Sequence, residues 1–138
     1  IAKLRGHAER TAQPIPDTPG QLARCCIDSL ALCYADTIER IETLTDHRIA
    51  TLYLVGGGVN NRLLNQLTAD ATGRRVVSGP VEATAAGNIL MQAITLGEIP
   101  SLAEARELVQ RSFETSDYLP QPSAGWDQAY THLLKGLI

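Results

Sequence analysis

Apolar residues recur along this chain first at the helical period and then in an unbroken β-prone run, and the switch marks out its elements. From Leu22, the residues Cys26, Leu30, Cys33, Thr37, Ile41 and Leu44 follow at intervals of three and four, which makes one stripe on a helix. Asp36, Glu39, Arg40 and Glu42 fall largely off that stripe. The pattern therefore predicts a long amphipathic helix, running to about Leu44 and packed on a sheet. Its start is written in Thr18-Pro19-Gly20-Gln21: Thr18 suits the N-cap, Pro19 the first helical position, and Gln21 can close a capping box. Ahead of it, Ile1 to Ile15 is only weakly helical. Gln13-Pro14-Ile15-Pro16 is extended or turning, because proline disfavours helix at the residue before it.

After a polar turn, Thr51-Leu52-Tyr53-Leu54-Val55 is apolar without alternation, the pattern of a parallel strand covered on both faces. Gly56-Gly57-Gly58 ends it. Asn60 or Asn61 can cap a helix carrying Leu63, Leu64 and Leu67, for which Gly73 is a natural left-handed stop. Arg75-Val76-Val77-Ser78 reads as a second strand, and the strand-helix-strand order implies a right-handed parallel crossover. Val81 to Ile94 is a helix rich in small residues, with Glu82 in its first turn and Gly97 beyond its end. Small side chains there suit tight packing on the sheet, or else contact with a ligand or a facing domain. Ser101-Leu102-Ala103-Glu104 opens a further helix through about Ser112, with Leu102, Ala105, Leu108 and Val109 inward. Phe113 to Ser123, with Tyr118, Pro120 and Pro122, reads as extended surface chain. A last helix from about Ala124 to Lys135 aligns Trp126, Tyr130, Leu133 and Leu134, with Trp126 as a packing residue. The fold class expected is α/β, a short parallel sheet with flanking helices.

The chain has 138 residues, a formal charge of -3 and 20% charged residues. That length fits one domain or a piece of one. The charge offers no electrostatic footprint for nucleic acid or an anionic membrane, and no long uncharged stretch or leader pattern is present, so a cytoplasmic protein is expected. Cys25, Cys26 and Cys33 lie in one helix without a CxxC pair, and are read as small core residues. His7, His47 and His132 are scattered, with no ligand-type spacing. No metal site is expected from the residues themselves.

The strand end, with three glycines and two asparagines, is the stretch where chemistry is expected. In open α/β sheets, ligands bind beyond the carboxyl ends of the strands. A P-loop would need lysine and serine or threonine after the last glycine, where Val59 and Asn60 stand. A dinucleotide fingerprint would need a third small residue, where Asn61 stands, and an acid about twenty residues on, near Ser78. Both readings fail. A plain structural turn remains possible, but the bare backbone edged by amides also suits an uncharged planar group such as a nucleobase with its ribose.

Leu52 to Gly97 resembles the C-terminal part of the FGGY carbohydrate kinases. The likeness lies in the hydrophobic-Gly56-Gly57-Gly58-x-Asn60-Asn61 element, Leu63-Leu64-Asn65-Gln66-x-x-Ala69-Asp70, the short Arg75-containing strand, and Pro80-x-Glu82-Ala83 with Gly87-Asn88. The helix from Leu22 to Ala35 is also similar. The resemblance implies an ATP-dependent, magnesium-assisted sugar kinase built of two ribonuclease-H-like (actin-like ATPase) lobes. In that frame residues 1–138 are a single incomplete domain, the C-terminal portion of the nucleotide-binding lobe. Gly57 would offer backbone to the nucleotide, Gly56 and Gly58 would keep the approach open, and Asn61 would hydrogen-bond the base or ribose. Glu82, Ala83 and Gly87 would pack near the site. The sugar implied is L-rhamnulose, with xylulose and fuculose as alternatives, held through an N-terminal lobe. No aspartate here matches the family's catalytic one: Asp28 and Asp36 belong to the long helix and Asp70 to the next, so no catalytic residue is assigned. The competing expectation is a non-catalytic module that forms a homo-oligomer through exposed sheet edges.

Overall fold

Capping chemistry sets the helix boundaries. The computed structural model describes residues 1–121 and 125–136, the side chains of 133–136 excepted. Helix α1 spans Ala2–Arg10 and α2 spans Pro19–Thr45. At the start of α2, Thr18 accepts from the Gln21 N–H while the Gln21 side chain accepts from the Thr18 N–H, so the capping box is complete. Strand β1 is Thr51–Leu54, α3 is Arg62–Thr72 and β2 is Arg75–Ser78. Asn61 caps α3, and Gly73 ends it with φ 62°, a left-handed value that suits glycine. Helix α4 spans Ala83–Thr95, α5 spans Leu102–Ser112, β3 is Ser116–Tyr118 and α6 is Trp126–Gly136.

The sheet order is β1-β2-β3, with β1 and β2 parallel in the register Thr51 to Arg75 through Leu54 to Ser78. The third strand makes the sheet mixed: the segment expected as surface chain runs antiparallel to β2, Val76 opposite Tyr118 and Ser78 opposite Ser116. Its composition gives no strand signal because pairing is decided by its neighbour. The Ser78 hydroxyl bonds both the N–H and the carbonyl of Ser116, and Arg75 pairs with Asp117 across the strands. Just after β3, Gln66 donates to the Leu119 carbonyl and Asp70 accepts from the Gln121 N–H. Asp70 thus works as a tether. The core is Val76 and Val77 of β2, Leu67, Thr68 and Ala69 of α3, and Ala31, Ala35 and Ile38 of α2.

Several packing expectations are corrected. Helix α2 packs chiefly against α3 and not on the sheet, and it does so through Ala31, Ala35 and Ile38. The stripe read as inward is largely exposed: Leu30, Ile41 and Leu44 lie open, and so do Cys26 and Cys33. Small residues win because they let two helix axes approach closely, whereas the larger stripe is only partly covered. Strand β1 is not covered on both faces, and Tyr53 is 68% exposed, because neither α2 nor α4 packs on that side of the sheet. Helix α4 has no buried residue and pairs with α5 instead of packing on the sheet. In α5, Ala105 is buried but Leu102 and Leu108 are exposed, and Ser101 caps the helix by accepting from the Glu104 N–H. Trp126 is half-buried, while Pro122, Ser123 and Ala124 and the side chains of Leu133 and Leu134 lie outside the described residues.

Candidate functional site

The parallel strands β1 and β2 end side by side, and backbone bonds join the loops that leave them. Gly79 N–H donates to the Leu54 carbonyl at 2.6 Å, and Gly56 N–H donates to the Pro80 carbonyl at 3.1 Å. A Cβ on Gly79 would meet Val55 Cγ1 at 3.1 Å and the Leu54 oxygen at 3.3 Å, so glycine is what permits this approach. Gly56 has φ 80° and ψ -168°, a conformation open essentially to glycine alone. It swings the chain off the strand into a 3₁₀ turn, Gly57–Asn60, which sequence periodicity did not indicate.

Gly57 and Gly58 have ordinary φ values, and a Cβ on either would meet nothing within 4 Å. Neither glycine is therefore needed for packing within the described residues. They leave bare backbone facing open space beyond the strand ends, which is the feature a flat ligand face requires. Asn61 sits where expected, but its Oδ1 is engaged: it accepts from the Leu64 N–H at 3.1 Å as the cap of α3. Its Nδ2 makes no hydrogen bond among the described residues. Ser78, buried and bonded to Ser116, faces the sheet neighbour. Glu82 precedes α4 and makes no side-chain capping bond, and Ala83 and Gly87 are half-buried on α4.

Asn65, which the family-like motif includes without assigning it a role, completes the turn. It has no exposed surface, and its Nδ2 donates to the Val59 carbonyl at 2.8 Å. The signal was there in one form: a polar residue flanked by Leu64 and Leu67, one turn after the cap, in an otherwise inward stretch.

Charged groups cluster elsewhere. At the opposite, amino ends of the strands, Glu42 of α2 accepts from the Ile49 N–H at 2.6 Å and pairs with Arg74. The Ile49 hydrogen bond, with Arg74 beside it, holds the Glu42 carboxyl below its ordinary value, against the opposing effect of desolvation. An open groove of about 500 Å³ is lined by Asp36, Glu39, Arg40, Thr43, Leu44 and Tyr130, none of them in the glycine turn. There the Tyr130 hydroxyl donates to Glu39 at 2.7 Å, and partial burial together with that carboxylate pushes its pKa well above the ordinary value. Among the described residues no group of three His, Cys, Asp or Glu side chains is arranged to hold a metal ion. No described helix is long and apolar enough to cross a membrane.

The profile of the FGGY family of carbohydrate kinases, C-terminal domain, matches residues 2–96. The chain is 46% identical over 129 residues to a rhamnulokinase of Bacteroides thetaiotaomicron, covering 94% of this chain and 27% of that protein. Rhamnulokinases of Enterococcus faecalis and Bacillus subtilis are 48% and 43% identical over 124 and 121 residues, each match covering 88% of this chain and 25% of the relative. The chain thus spans about a quarter of the length of these curated relatives. The crystal structure of a xylulose kinase from Rhodospirillum rubrum superposes with a TM-score of 0.67 at 22% identity, covering 88% of this chain and 25% of that one. This likeness shows the fold, the partial ribonuclease-H-like (actin-like ATPase) arrangement that the resemblance implied. With more than half of its residues matched by the family profile, the chain belongs to the FGGY family of carbohydrate kinases and corresponds to their C-terminal domain.

Proposed function

We propose that this chain forms the adenosine-facing wall of an ATP-dependent carbohydrate kinase, as the C-terminal portion of its nucleotide-binding lobe. The observation that carries the reading is the open glycine turn at the carboxyl ends of β1 and β2, in a chain of this family. Bare backbone at Gly57 and Gly58 accepts a planar base or ribose at close range, Gly56 sets the angle of the turn, and Asn61 Nδ2 is available as a donor. ATP would supply the phosphoryl group and magnesium would neutralise its charge. No described residue is assigned to magnesium, and the attacking hydroxyl and its base belong to the rest of the kinase. The sugar proposed is L-rhamnulose, phosphorylated to L-rhamnulose 1-phosphate, because the three relatives at 43–48% identity carry the name rhamnulokinase. Xylulose and fuculose are the sugars to run beside it, and a cytoplasmic setting fits such a kinase.

Calorimetric titration of the chain with ATP and magnesium, beside Gly57→Val, tests the wall. A Cβ at Gly57 meets nothing in the fold, so the variant should fold and lose the nucleotide. Equal binding by both proteins would reject the assignment. The sugar is tested by adding the N-terminal portion of a rhamnulokinase and measuring phosphotransfer to L-rhamnulose, xylulose and fuculose. A second reading, a non-catalytic assembly module, is favoured by the free edge of β1 and the open stripe of α2. It predicts a stable oligomer whose association is indifferent to ATP.

A further inference from the structure

Asn65 combines complete burial, one hydrogen bond and one unmet one. Its Nδ2 bonds the Val59 carbonyl at 2.8 Å, and its Oδ1 has no partner among the described residues. The reverse amide orientation would set two carbonyl oxygens against each other, so chemistry fixes the assignment. A buried amide oxygen without a partner works against folding, and a leucine of similar size would avoid that penalty. The bond to Val59 is what the asparagine provides. Val59 lies inside the 3₁₀ turn that begins with Gly57 and Gly58, and the turn's own bonds are short-range: Val59 N–H to the Gly56 carbonyl and Asn61 N–H to the Gly58 carbonyl. Such turns have poorer hydrogen-bond geometry than an α-helix and hold their shape less firmly alone.

We propose that Asn65 is a positioning residue for the nucleotide site, pinning the turn from beneath through Val59 so that the Gly57–Gly58 face is set before the nucleotide arrives. This rests on the reading of that turn as the adenosine wall. Apparent affinity falls in proportion to the population of the competent conformation, so releasing the pin weakens binding without removing any atom that touches the ligand.

The test is ATP-magnesium calorimetry on the full chain with four proteins: the parent, Asn65→Leu, Gly57→Val and Thr68→Val. Asn65→Leu should bind about tenfold more weakly, equivalent to ~1.4 kcal/mol, and should shift the Gly57 and Gly58 amide resonances before ligand is added. Thr68 is also buried in α3, but its hydroxyl bonds the Leu64 carbonyl within the helix; Thr68→Val should leave affinity and those resonances unchanged. A merely structural Asn65 would lower the melting temperature and leave the affinity of the folded protein intact. Parent-like binding by Asn65→Leu, with loss in Gly57→Val, overturns the positioning role and leaves the nucleotide reading standing. No binding by the folded parent, or parent-like binding by Gly57→Val, overturns the nucleotide reading and this inference with it. Should Asn65→Leu not fold, Asn65→Ser, too short to reach the Val59 carbonyl, carries the same expectation and the same refutation.

Discussion

The two helix-bearing arms that leave the sheet's carboxyl ends are built in opposite ways. On one side, β2 and α3 hold most of the buried side chains, and α3 is tied at its start by Asn61 and Asn65 and near its end by Asp70. On the other, α4 and α5 pack on each other, with Ala105 the only buried residue of the pair. The glycine turn hangs from the firm side. The turn therefore rests on the well-buried arm, whereas the helix pair leaves Ile89, Met91, Leu102 and Leu108 exposed.

This contrast breaks most visibly in the core. Val76 lies between β1 and β3 with 0% exposure, so Val76→Asp, an uncompensated buried charge, should cost roughly 3–5 kcal/mol in denaturant unfolding. Ile89→Lys on α4, where the native residue is 66% exposed, should stay within about 0.5 kcal/mol. Similar losses from the two would mean that the arms are equally packed. Within the turn the same comparison runs between neighbours. Gly56→Ala forces a Cβ into a glycine-only conformation and should cost about 1–3 kcal/mol, while Gly57→Ala should change stability by no more than about 0.5 kcal/mol.

The smallest expected effect lies at the amino ends of the strands. Because Glu42 titrates below its ordinary value of 4.5 when folded, its contribution is fully present above that pH and is lost as pH falls through the lower folded value. Melting curves should therefore lose stability on acidification below about pH 4.5, and Glu42→Gln should flatten that limb. An unchanged acid limb in the variant would remove Glu42 from the account.

Local rules read from the sequence described the ends of elements better than their faces. The Thr18–Gln21 box, the Asn61 cap and the Gly73 stop depend on neighbouring residues only, and each was legible. Which face of α2 is buried depends on the helix it meets: α3 accepts the narrow Ala31, Ala35 and Ile38 side, and no rule of spacing favours that side over Leu30 and Ile41. Strand β3 was illegible for the same reason, since Ser116-Asp117-Tyr118 is held by Ser78 and Arg75 of its neighbour. Of the site, the three glycines and Asn61 were legible as a motif. The 3₁₀ turn and the bond beneath it were not, because the Asn65 side chain reaches six residues back to Val59, a contact that no capping or periodicity rule describes.

The central claim, that the glycine turn faces the nucleotide, is tested most directly by following backbone amide resonances of the labelled chain as ATP and magnesium are added. The account predicts saturable shifts centred on Gly57, Gly58 and Asn61, spreading to the Pro80–Glu82 loop bonded to Gly56. Shifts confined to the groove of Asp36, Glu39 and Tyr130, or none at all in a folded chain, would contradict it.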